Sequence, residues 1–74
     1  MNADHLVTMA NQIGSFFETM PDRQQAVADI AEHLKKYWEP RMRRSLLQHV
    51  DGRGGAQLTG IVQEALQKHS ASIL

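Results

Sequence analysis

Apolar residues recur along this chain at the three- and four-residue intervals of an α-helix, and nowhere at the two-residue interval of a strand. Leu6, Met9, Ala10, Ile13, Phe16, Phe17 and Met20 predict a first amphipathic helix over roughly residues 3 to 19, capped by Asn2 or Asp4 and stopped by Pro21. Asp22 with Gln25 three positions on resembles a capping box and predicts that a second helix starts there. Val27, Ile30, Ala31, Leu34, Tyr37 and Trp38 fall within about 120° of helical arc, with Asp29, Glu32 and Lys36 facing away.

Pro40 interrupts the pattern and suits the first position of a new helix, so a bend is expected at Glu39. The third helix is expected from about Pro40 to Val50, with Met42, Leu46, Leu47 and Val50 on its apolar side. The run Asp51-Gly52-Arg53-Gly54-Gly55 should close it through glycine in the left-handed conformation and form an exposed, mobile loop. A last helix of about three turns follows, with Thr59 as its cap and Leu58, Ile61, Val62, Ala65, Leu66 and His69 as its stripe. The fold class is therefore all-α, a small bundle of three to four short amphipathic helices in one domain spanning residues 1–74. Residues 1–2 and 70–74 are expected to fray.

Seventy-four residues without a cysteine leave a modest core with no disulfide to support it. The absent thiols also exclude cysteine catalysis and cysteine-ligated iron–sulfur clusters. No long apolar run is present, and Asp4 and Glu18 interrupt the segment where a signal peptide would be apolar; a cytoplasmic protein without membrane attachment is expected. The net charge of zero conceals an imbalance. Residues 1–34 carry five acidic side chains against Arg23, while residues 35–74 carry seven Lys or Arg against three acids, so the halves should attract one another or different partners.

Attempts to assemble a catalytic site fail. His5, His33, His49 and His69 are too widely spaced to present two ligands from one helical turn, and no metal site is expected. His69 reads as a partly buried, hydrogen-bonded side chain, and His33 and His49 as surface residues. Thr8, Ser15 and Ser45 lack an activating neighbour in sequence. The glycine-rich run lacks the Lys-Ser/Thr and the preceding strand of a phosphate-binding loop.

What remains is Tyr37-Trp38-Glu39-Pro40-Arg41-Met42-Arg43-Arg44, which gathers the only Trp, the only Tyr and three arginines. These residue types dominate protein interfaces. Arg43 falls inside the apolar arc of the third helix, where it either snorkels to water or pairs with an acidic group. Trp38 is expected to be at least partly buried, and Tyr37 to be the better surface candidate.

Leu6-Val7-x-Met9-Ala10-Asn11-Gln12-Ile13-Gly14-x-Phe16-Phe17, Pro21-Asp22, Ile30-Ala31-x-His33-Leu34, Trp38-x-Pro40-Arg41-Met42-Arg43 and Leu46-Leu47-x-His49-Val50 resemble the small delta subunit of NAD-dependent, molybdenum-containing formate dehydrogenases. The resemblance runs from about Asp4 to Leu66 and includes polar and turn residues that amphipathicity alone does not require. It implies a non-catalytic accessory subunit that supports assembly or stability. It further implies that larger subunits carry the molybdenum–pterin cofactor, the iron–sulfur clusters and the flavin (FMN), and that this chain carries no cofactor. The expected partner is the large molybdenum-containing subunit, contacted through Tyr37, Arg41, Arg43 and Arg44, with Asn11 and Gln12 in support. A homodimer of the free chain is a further expectation. The competing reading is a small helical nucleic-acid-binding module using the arginines of the third helix, against which the zero net charge argues.

Overall fold

The computed structural model describes residues 2–52 and 54–74. Four α-helices follow in order: α1 (Ala3–Phe17), α2 (Arg23–Tyr37), α3 (Pro40–Gly52) and α4 (Gly60–Ile73), with a 3₁₀ turn at Gly54–Gln57 between the last two. No strand is present among the described residues.

Local chemistry accounts for the helix starts. The Asn2 carboxamide caps α1, accepting from the amides of Asp4 (2.9 Å) and His5 (3.4 Å), which leaves the Asp4 carboxylate in the favourable first turn. Asp22 caps α2, accepting from the amides of Gln24 (3.0 Å) and Gln25 (3.2 Å). The reciprocal half of a capping box is missing, because Gln25 donates to Asp29 (2.8 Å) instead. Pro40 opens α3 as expected. Thr59 occupies the position before α4 but makes no capping bond with its side chain.

The core is formed mainly where α2 lies on α4, with Val27, Ile30, Leu34, Ile61 and Val62 essentially inaccessible and Trp38 closing one end. Burying each such side chain contributes about 1.5 to 3 kcal/mol.

α1 packs differently from its sequence pattern. Its buried residues are Leu6, Ala10, Gly14 and Val7, an arc rotated by roughly 70° from the bulky stripe at 100° per residue. The reason is close approach to the start of α4. A Cβ on Gly14 would stand 2.5 Å from Val62 Cγ2, so only glycine permits this spacing. With the small residues turned towards α4, Met9, Ile13 and Phe17 are left half-buried and Phe16 is 72% exposed.

One expectation for the second half is corrected. α3 ends at Gly52 with no positive φ at any described glycine, and the segment expected to be a mobile loop is in part a 3₁₀ turn packed against α3; Arg53 lies outside the described residues. Residues 70–73 continue α4 past a kink at His69 (φ −124°, ψ 18°), with Leu74 as its C-cap. The extra turn carries Ile73 into the core at 1% exposure.

Among the described residues one ion pair joins an acid of residues 1–34 to a base of residues 35–74: Glu32–Lys36, a one-turn contact within α2. Arg23, the lone base of the acidic half, reaches Glu64 of the basic half (3.5 Å) and Glu18 (3.7 Å). The pairs Glu32–Lys36 and Glu64–Lys68 are single-turn contacts along one helix.

Candidate interaction surface

The bulky face that α1 leaves uncovered becomes one wall of an open depression of about 420 Å³. Met9, Gln12, Ile13, Phe16 and Phe17 come from α1, while His33 and the buried Trp38 line the side of α2. A second depression, of about 250 Å³, shares Phe17 and His33 with the first and runs on to Asp29, Glu32, Lys36 and Tyr37. The two adjoin at Phe17 and His33 and together make one trough region, apolar on the first side and charged on the second.

A row of rings crosses this trough. Phe16 meets Phe17 edge-on (5.2 Å between centroids, 85°), Phe17 meets His33 (6.1 Å, 65°), and His33 tilts against Tyr37 (4.8 Å, 45°). His33 is thus a member of an aromatic row and not the simple surface residue expected. The signal was present in the sequence, since His33 and Tyr37 are four residues apart and share one helical face. At the charged end Glu32 and Lys36 form a 2.7 Å pair. The hydrogen bond from the Lys36 ammonium, reinforced by its charge, lowers the Glu32 pKa, and the same bond raises that of Lys36.

The six residues expected at the partner contact differ in exposure. Tyr37 is 73% exposed at the rim of the trough, and Gln12 is exposed along its wall. Arg41 and Arg44 are exposed near the start of α3 and make no ion pair among the described residues. Asn11 and Arg43 are used inside the chain. The Asn11 carboxamide donates to the Gln57 carbonyl (3.0 Å) and accepts from the Thr59 amide (2.9 Å), fixing the entry to α4. Arg43 is 7% exposed, and its Nη1 donates to the Ile73 carbonyl at 2.6 Å and the Lys35 carbonyl at 3.5 Å. It does not snorkel to water, and it meets no carboxylate among the described residues. Its partners are carbonyls in the last turns of α2 and α4, where the helix dipoles are negative.

The remaining histidines are placed without a shared site. His49 Nε2 lies 2.9 Å from Gln57 Oε1, and His69 occupies the kink of α4. Among the described residues no group of three or more His, Asp or Glu is arranged to hold a metal ion. No described helix is long and apolar enough to cross a membrane.

Residues 5–66 match the family described as NADH-dependent formate dehydrogenase delta subunit FdsD. The chain belongs to this FdsD family. The match takes in α1, α2, α3 and α4 up to Leu66, so the FdsD region includes both walls of the trough, Arg43 and the Asn11 contacts. Ile73, which receives the Arg43 hydrogen bond, lies beyond the matched FdsD segment. No curated protein and no solved structure matches the chain.

Proposed function

We propose that this chain is a non-catalytic accessory subunit of a cytoplasmic NAD-linked formate dehydrogenase, and that it supports assembly or stability of the complex by binding the large molybdenum-containing subunit. The observation that carries the reading is the FdsD family match over residues 5–66. The surface supports it: Phe16 and Tyr37 are large rings left in water, the pattern of a face that is covered in a complex. Gln12, Arg41 and Arg44 remain as exposed polar contacts for the same partner. Arg43 and Asn11 act at one remove, by holding the fold that presents the surface. In this reading the molybdenum, iron–sulfur and flavin centres, and the oxidation of formate with reduction of NAD, belong to the larger subunits. The chain has no cysteine with which to ligate a cluster.

A tagged chain recovered from its source cytosol, with mass spectrometry and molybdenum analysis of what elutes, tests the proposal. Recovery of a molybdenum-loaded formate dehydrogenase with near-equal amounts of this chain identifies a standing subunit. Recovery of a metal-free large subunit identifies an assembly role, and recovery of neither refutes the proposal.

A further inference from the structure

We infer that the trough between α1 and α2 seats an amphipathic helix of a larger subunit, one with apolar anchors at i, i+3 or i+4, and i+7 and with a lysine or arginine at the end that meets Asp29 and Glu32. This rests on the subunit reading above and names the contact within it.

The shape favours a helix. α1 and α2 wall a groove between them, and a third helix packs its ridge of side chains into such a groove. No strand edge exists among the described residues for an extended segment to join. The lining is adaptable in composition, with the Met9 thioether and the edge-on Phe16–Phe17 pair above a floor made by Trp38. Phe16 and Tyr37 stand at opposite ends of the ring row, 72% and 73% exposed, where a seated helix would cover both.

Charge sets the chemistry of the occupant. The far end of the trough carries Asp29 and Glu32 against a single base, Lys36, which is already paired with Glu32. Asp29 accepts only a neutral amide, from Gln25, and keeps lone pairs for a cation. A second copy of this chain supplies no free lysine or arginine from the same face, because the only one lining it is the engaged Lys36. A basic residue following an apolar stripe satisfies both ends at once.

The test uses the whole complex. A photo-crosslinking benzoylphenylalanine in place of Phe16 should label a helical segment of a larger subunit that carries apolar anchors and a Lys or Arg. In parallel, Phe16→Ser, Tyr37→Ser and Asp29→Lys should each weaken retention in the complex about tenfold or more, the scale of interface hot spots. Circular dichroism should show the helical content of these three variants unchanged. Crosslinking to a second copy overturns the inference, as do absence of crosslinks and full retention of all three variants in a complex that still contains the chain. In those cases the subunit reading survives. If the unmodified chain does not co-purify with the enzyme, the subunit reading fails and this inference fails with it.

Discussion

Arg43 donates from Nη1 to the backbone carbonyl of Ile73 at 2.6 Å, joining α3 to the last turn of α4 across thirty positions of sequence. The guanidinium is nearly inaccessible and its Nε has no hydrogen-bond partner among the described residues, so its burial is only partly compensated and the carbonyl bonds hold it in place. Truncating it by R43A removes a charged hydrogen bond worth about 1.5 to 3 kcal/mol together with packing along the stem. The expected result is lower stability in urea and faster amide exchange in the turn containing Ile73. Unaltered exchange there would show that the bond does not hold the turn. Any loss of R43A from the enzyme complex should therefore track loss of folded chain and not loss of a direct contact.

Gly14 is set by the approach of α1 to α4. The methyl group of G14A meets Val62 Cγ2 at 2.5 Å, and relieving this overpacking costs about 1 to 3 kcal/mol. Alanine's better helix propensity returns up to about 1 kcal/mol, so net destabilisation is expected. A thermal unfolding midpoint at or above that of the parent would mean that the two helices separate at little cost.

Asn11 satisfies the Thr59 amide and the Gln57 carbonyl with one side chain. In N11L the apolar replacement leaves both backbone groups without that partner, at about 1 to 3 kcal/mol where water cannot replace it. Exchange of the Thr59 amide should accelerate more than that of any core amide, since the loss is local. A uniform change across the chain would contradict this account.

Glu32 and Lys36 predict a small pH dependence. The Glu32 carboxyl is held below its ordinary value by the hydrogen bond and charge of Lys36, so the pair's contribution is complete above the ordinary carboxylate pKa and is lost as pH falls through the lowered one. Lys36 is raised by the same bond, so on the alkaline side the contribution persists below the ordinary lysine value and disappears as pH rises through the raised one. Both groups are in solvent, and salt should screen the effect. E32Q should flatten both limbs of the stability profile at low ionic strength. Profiles that superimpose with those of the parent would remove the pair from the account.

Helix existence was legible because a 3.6-residue period, two prolines and polar caps all act locally. Arc assignment in α1 was not legible, since bulk suggested the Met9–Ile13–Phe16 face while the close approach at Gly14 depends on where α4 lies. The role of Arg43 was hidden for a related reason. Its acceptors are backbone carbonyls at helix ends, and a carbonyl leaves no trace in residue type. The trough was half legible: Tyr37 was recognisable as a surface ring and Trp38 as a buried one, but pairing His33 with Phe17 required knowing how α1 lies against α2.

Trp38 is the only indole in the chain, and its small accessible remainder lies on the floor of the trough. The protein consequently carries its single tryptophan fluorophore at the place where an occupant would sit. A seated helix should shield it further from acrylamide quenching with little change of helical content, whereas unfolding should expose it and shift its emission to longer wavelength. Binding and unfolding are then separable by light alone, without any label on the chain.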